Sequence, residues 1–338
     1  MIEIDGSQIT GGGQVLRTAL GLSAHTNKSF RITNIRSSRP KKGLLAQHLK
    51  AAQVLEQLCN AETKGLHLGS EELYFRPHGF TPKKIDAHIG TAGSITLLAQ
   101  ALSIPAMHHK KTKYTLHGGT DVRWSPPIDY TRNLLAPALS SYGVMDIELH
   151  RRGFYPKGGG HATFTFGKKQ DPKPFTALER GTLQYIMCLC TASQQLLDQE
   201  VCEEVERNLR VLLDAHQVPL QFRMGYTNTQ DAQYSITIYA VHAVEKPRAL
   251  IGASALGDEA SSPAATAQLA AKRFAEQLAL PGVVDEHLAD QLIPFLALHG
   301  GEFKATRITP HTKANIAVAE KFTKASFRVQ GNHVTVTR

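Results

Sequence analysis

The chain has 338 residues, 42% hydrophobic and 20% charged, a composition that excludes a disordered or fibrous protein and suits about two globular domains. No apolar run approaches the ~20 residues of a membrane span, and the acidic start MIEIDGSQIT lacks a leader's apolar stretch, so a cytoplasmic protein is expected. Cys59, Cys188, Cys190 and Cys202 lack CxxC metal spacing and read as free thiols, while a formal net charge of +9 suits a polyanionic partner such as RNA without requiring one.

The chain opens with a glycine-rich turn, Gly11-Gly12-Gly13, followed by a helix in QVLRTALGLSAHT, where Leu16, Leu20 and Ala24 recur every four residues. FRITNIR alternates as a strand. The basic loop Arg36 to Lys42 leads to a second helix from Leu44, whose stripe is Leu45, Leu49, Ala52 and Leu55. Short strands near LYFRP close the unit. The order then repeats with a period of about 80 residues: strand IDAHIG, small-residue turn GTAGS, helix ITLLAQALSIPAM, strand KYTLHGG, helix PPIDYTRNLLAPALSSYG with prolines at its start, and strands MDIELHR and HATFTF. A third copy occupies the C-terminus: helix EHLADQLIPFLALHG, strand EFKATRI, loop and helix TPHTKANIAVAEKF, and the hairpin SFRVQ–HVTVTR around Gly331-Asn332. Between them, strand TLQYIMCLC, helix 199–215, three strands and helix 262–279 break the pattern.

The fold class is therefore α+β with α/β-like repeats: a large domain of three βαβαββ-type units, residues 1–181 and 281–338, with a smaller α+β domain, 182–280, inserted. If the units surround a pseudo-threefold axis, the loops before their second helices, holding Arg36 and Arg39, His117 to Asp121, and His311, would approach one another.

The sequence has no P-loop, no GxGxxG after a strand, and no K-x-[DN]-G lysine nucleophile, so ATP chemistry needs another nucleophile. Arg36-Ser37-Ser38-Arg39 with Lys41 and Lys42 offers guanidinium forks for phosphate near a helix start. Gly118-Gly119-Thr120-Asp121 could turn backbone N–H groups toward an anion, and Gly158-Gly159-Gly160 permits close approach of backbone or ligand. His311, at a loop-to-helix junction, sits where the helix dipole favours a neutral, nucleophilic imidazole. His108-His109 beside Lys110-Lys111 reads as a solvated basic edge.

The segments GGGQVLRTAL, IRSSRPKKGLLAQHL, GTAGSITLLAQ, GGTDVRWSPPIDY, RRGFYPKGGG, HLADQL and TPHTKANIAV together resemble the RNA 3′-terminal phosphate cyclases, nearly end to end. The resemblance implies that His311 takes AMP from ATP, passes it to an RNA 3′-phosphate, and that the neighbouring 2′-OH displaces AMP to leave a 2′,3′-cyclic phosphate. It implies phosphate-handling roles for Arg17, Arg36, Arg39 and Gln47. Gln100 and His287, Leu288, Ala289, Asp290 and Gln291 match the family's ATP site, and Pro126 and Tyr130 match positions flanking the adenine. Mg²⁺ or Mn²⁺ is the implied ion. Thr10 replaces the family's Glu before the glycines, a weaker ligand for a hard cation, and Lys42 stands where proline is usual. The alternative is a catalytically weakened, cyclase-like RNA-binding protein in RNA processing or ribosome assembly. An enolpyruvyl transferase, built of similar units, is opposed by the cyclase segments. Arg207, Arg210, Arg223 and Arg248 are candidate RNA contacts of the insert.

Overall fold

The computed structural model describes residues 1–7, 12–243 and 247–338. Thr10 therefore lies outside the described residues, as do Gln8, Ile9 and Gly11.

Unit one runs β1 (Ile2–Asp5), α1 (Gly13–Thr26), β2 (Phe30–Thr33), α2 (Ala46–Cys59), β3 (Glu62–Lys64) and β4 (Leu73–Arg76). Unit two runs β5 (Ile85–His88), α3 (Ile95–Ala106), β6 (Thr112–Gly118), α4 (Ile128–Tyr130), β7 (Gly143–Arg151) and β8 (Gly160–Lys168). Here α4 continues through a π turn, Thr131–Leu135, into α5 (Ala136–Leu139). Unit three begins with β9 (Phe175–Ala177) and is then interrupted by β10 (Thr182–Ser193), α6 (Val201–Leu213), β11 (Leu220–Thr227), β12 (Gln233–Ala243), β13 (Pro247–Asp258) and α7 (Pro263–Ala279). It resumes with α8 (Glu286–His299), β14 (Gly301–Lys304), α9 (Pro310–Phe322), β15 (Ser326–Gln330) and β16 (His333–Thr337).

The sheets of the three units share one topology: β1-β2-β4-β3, β5-β6-β8-β7 and β9-β14-β16-β15. In each the first strand pairs parallel with the second, and the remaining pairs are antiparallel. The expected βαβαββ repeat is thus present, with the interruption between a unit's first strand and its first helix. Strands β1 and β9, which are not expected from sequence, become strands by pairing parallel with β2 and β14.

Helix α1 packs against α3 and α9. A Cβ on Gly21 would fall 2.6 Å from Ile104 Cδ1 and 2.8 Å from the Ala101 carbonyl oxygen, so only glycine permits this approach of α1 to α3. The inserted sheet, ordered β11-β10-β12-β13, shows a period of two on both faces. Ile186, Cys188, Cys190, Ile236 and Ile238 bury against α6 and α7, while Met187, Leu189, Tyr239 and Val241 join the core of the three units.

His25, His108 and His299 lie at or within two residues of the C-termini of α1, α3 and α8, the equivalent helices of the three units. His108 is not a solvated edge: its ring packs 3.9 Å from His25 and stacks 4.7 Å from His299. His25 Nδ1, His108 Nε2 and His299 Nε2 are buried without hydrogen-bond partners among the described residues. Burial first, then repulsion from neighbouring histidines and Arg338, lowers His25 from the usual 6.5 to about 3; burial chiefly lowers His108 and His299 to about 4. Between the ordinary imidazole value and those values, the unfolded chain takes up protons that the folded trio refuses. This contribution to stability is intact above pH 6.5 and falls as pH drops toward 4. Urea unfolding midpoints should decline over that window, and His108→Leu should flatten the decline; an unchanged slope would contradict the assignment.

Candidate active site

The start of each unit's second helix meets the start of the next unit's first helix. In unit one, Gln47 of α2 accepts through Oε1 from the N–H of Ser94, the N-cap of α3, at 2.9 Å. In unit two, Tyr130 donates its hydroxyl to both oxygens of Asp285, the N-cap of α8, at 2.7 and 2.9 Å. In unit three, His311 lies beside Gly12, the N-cap of α1: a Cβ there would sit 3.7 Å from His311 Cε1 and 3.9 Å from an Arg39 Nη. Gln47 and His311 are each the second residue of their helix. The loops of units one and three do approach, through Arg39 and His311. His117 of unit two instead stacks between His88 and His161 on its own sheet.

Arg17 occupies the centre. It is 7% exposed, and its Nε–H has no partner among the described residues. Burial, and beyond it the neighbouring Arg36, lowers its pKa to about 10 against the pull of Asp290. Asp290 is itself pushed well above the carboxylate range by burial and accepts from Gln14 Nε2 at 3.0 Å. A guanidinium buried this way, facing an acid held toward neutrality, is short of negative charge. Arg36 stands over the same space with a left-handed backbone, φ 59°, its guanidinium donating to the Lys41 carbonyl at 3.2 and 3.0 Å. His48, buried between Gly13 and these arginines, is lowered to about 3, by burial first and then by Arg17 and Arg36, so it adds no charge. Its Nδ1 accepts from the Leu45 N–H at 3.2 Å.

Thr309 caps α9 and Pro310 opens it, which fixes His311 in the first turn. Burial lowers the His311 pKa, and Arg39 and Arg17 lower it further. Its Nδ1 is buried without a partner among the described residues. Helix α9 is locked to its neighbours because Thr18 donates to Asn315 Oδ1 at 2.9 Å and Asn315 donates to the Asp290 carbonyl at 2.6 Å.

The remaining expected residues divide by exposure. Gln100 is buried beside Arg17 and Thr18, across from Pro294. His287 is exposed on the first turn of α8, whereas Leu288 and Ala289 are wholly buried and contribute backbone only. Gln291 donates to the His287 carbonyl at 2.8 Å and leaves Oε1 unpaired among the described residues. Pro126 is half-buried, its carbonyl accepting from Thr96. Tyr130 is buried, with its hydroxyl committed to Asp285.

The glycine motifs serve packing. The N–H groups of Gly119, Thr120 and Asp121 donate to the carbonyls of Gly93 and Gly153, so none is free for an anion. Asp121 and Asp129 pair with the buried Arg152. Gly158 abuts Ala92, where a Cβ would come within 2.9 Å of Cα. In the insert, Arg210 pairs with Glu206 and lies 4.3 Å over Phe222, and Arg248 donates to the carbonyls of Thr176 and Glu179, so both are engaged within the chain. Sequence reading missed His48, Asp285 and Gln14. Asp285 alone carries a signal, an N-cap before an apolar run.

A family model described as RNA 3′-terminal phosphate cyclase matches residues 8–329. Proteins named RNA 3′-terminal phosphate cyclase are similar over nearly the whole length. The one from Pyrococcus abyssi is 39% identical over 98% of this chain and 96% of its own, and that from Thermococcus gammatolerans 40% over 98% and 94%. The Saccharolobus islandicus protein is 37% identical over 98% and 97%.

Two substitutions test the electrostatics. Arg17→Met removes the uncompensated buried charge at similar volume and should raise stability by about 1–4 kcal/mol. Gly13→Ala would place a Cβ 2.0 Å from His48 Nε2 and should lower it by about 1–3 kcal/mol. Chemical denaturation of both variants measures this, and destabilisation by Arg17→Met would show that its charge is already neutralised.

Proposed function

Because the chain belongs to the RNA 3′-terminal phosphate cyclase family, we propose that it is an ATP-dependent ligase that converts RNA 3′-phosphates to 2′,3′-cyclic phosphates with His311 as nucleophile. The observation that carries this is the position of His311 beside Arg39 at the start of α1, where burial, Arg39 and Arg17 lower its pKa.

Nδ1 is buried without a partner among the described residues, so Nε2 is assigned as the attacking atom. It bonds to the α-phosphorus of ATP, the bond to the bridging oxygen breaks, and pyrophosphate leaves. Arg17, Arg36 and Arg39 stabilise charge gathering on the phosphoryl oxygens. An oxygen of the RNA 3′-phosphate then attacks the same phosphorus and releases the histidine. Finally the 2′-hydroxyl oxygen attacks the 3′-phosphorus and releases its proton to solvent, the bond to AMP breaks with its electrons on AMP, and the ring closes. Gln47 acts by fixing the start of α3. Tyr130 acts through Asp285, fixing the start of α8; the adenine is assigned to Pro126, His287, Gln100 and Gln291 on the family resemblance.

The carboxyls beside the site do not suit a hard cation: Asp290 is raised by burial and accepts from Gln14, and Asp285 caps α8. Mg²⁺ or Mn²⁺ would arrive as the counter-ion of the triphosphate. The chain is inferred to divide at 1–181 with 281–338, and 182–280. A cytoplasmic site of action rests on the four buried free thiols and on the absence, among the described residues, of a helix long and apolar enough to cross a membrane.

Incubation with α-labelled ATP should leave acid-labile, alkali-stable label on the protein, absent in His311→Ala. Arg17→Met should slow labelling by at least about a hundredfold. Because the His311 pKa is lowered, its neutral form persists below pH 6.5, so labelling should not halve at that pH. Label surviving in His311→Ala would move the nucleophile elsewhere, and no label with either metal would favour the RNA-binding alternative.

A further inference from the structure

The open face of the second unit's sheet carries two rows of polar residues set by the period of two. Ile85, Ala87, Tyr114, Leu116, Ala162 and Phe164 turn inward. On the outer face, Asp86 of β5 registers with Thr115 of β6, Thr163 of β8 and Glu148 of β7. Two residues along, His88 registers with His117 and His117 with His161, and His150 lies at the adjoining bulge. The four imidazoles form a continuous stack: 3.8 Å between the rings of His88 and His117, and 5.1 Å for each of the next two pairs.

At one end of this ladder three ligand atoms converge. Asp86 Oδ1 lies 2.8 Å from His117 Nε2 and 3.2 Å from His88 Nε2, and the three groups each offer an atom within 4.8 Å of the others. His117 Nε2 is buried, yet despite that 2.8 Å contact it has no aligned hydrogen-bond partner among the described residues. A lone pair or N–H buried without a partner is costly, and a shared cation would satisfy it together with the carboxylate oxygen. Two ligand atoms on a tetrahedral zinc stand roughly 3.4 Å apart, from bonds of about 2.0–2.1 Å, so modest side-chain rotation would admit the ion.

We propose that Asp86, His88 and His117 bind one divalent transition-metal ion of the zinc class. Two imidazoles and one carboxylate select zinc, nickel or copper over magnesium, whose preference is for oxygen alone. The set is therefore distinct in chemistry from the magnesium or manganese that accompanies ATP. Asp86 and His88 are two-thirds exposed and His117 about one-quarter, so the ion reaches its ligands directly from solvent. Three protein ligands leave a fourth position open to water or an anion, as in catalytic rather than structural zinc sites. A recess of about 250 Å³ between α2 and β5, lined by Lys50, Gln53 and Gln57 as well as Asp86 and His88, adjoins that position. Lys50 there supplies the positive charge that would favour an anionic fourth ligand.

Titration of the full chain with Zn²⁺, followed by calorimetry, and with Co²⁺, followed by visible absorption, tests this. One equivalent should bind and raise the melting temperature, and excess Mg²⁺ should not displace it. His88→Gln or His117→Gln should weaken binding by at least about tenfold, since loss of a ligand costs no less than loss of its supporting contacts. His150→Gln, at the far end of the ladder, should bind as the unaltered chain does. Absence of one-to-one binding, or binding undiminished in both His88→Gln and His117→Gln, overturns the assignment, as does a loss in His150→Gln equal to theirs.

Discussion

A guanidinium buried without a matching negative charge is the constraint around which the three units are organised. Arg17 sits inside the ring of first helices, and Asp290, the acid acting on it, is held toward neutrality by the same burial. The fold maintains this imbalance through the interlock of α1, α8 and α9 by Gln14, Thr18 and Asn315. A phosphate entering that space would gain a partner that water no longer solvates. The start of α1 at Gly12, beside His311 and Arg39, adds the positive end of its dipole.

The repeat turns one local rule into a site. Each second helix abuts the first helix of the next unit, and the side chain at that junction differs from copy to copy. Gln47 makes a neutral hydrogen bond, Tyr130 secures a cap, and His311 keeps an Nδ1 with no partner among the described residues. Two of the three corresponding junctions are thus closed by a side-chain hydrogen bond. The C-terminal ends of the same first helices carry the opposite arrangement. There His25, His108 and His299 are kept neutral by burial, in a region where dipoles alone would favour protonation.

The two outer surfaces differ in kind. The inserted sheet is covered on both faces along β10: Ile186, Cys188 and Cys190 pack beneath α6 and α7, and Met187 and Leu189 close onto the three-unit core. The second unit's sheet keeps its outer face open, and there a ladder of imidazoles ends in a carboxylate. The first surface fixes the insert in place, and the second offers a ligand set to solvent.

The sequence by itself determined the three-fold repeat, because helical and strand periods survive in segments such as QVLRTALGLSAHT and KYTLHGG, and it determined His311, Arg17, Arg36 and Arg39 as candidates through the segments that carry the family resemblance. It did not disclose β1 or β9, which are defined as strands by pairing with β2 and β14, distant in the chain. Nor could it tell that Gly119 to Asp121 spend their N–H groups on the Gly93 and Gly153 carbonyls, or that His108 lies between two distant histidines. Tertiary structure alone decided which charges lack partners, because desolvation and pairing depend on residues such as Arg17 and Asp290 that lie far apart in the chain and meet only when the units close.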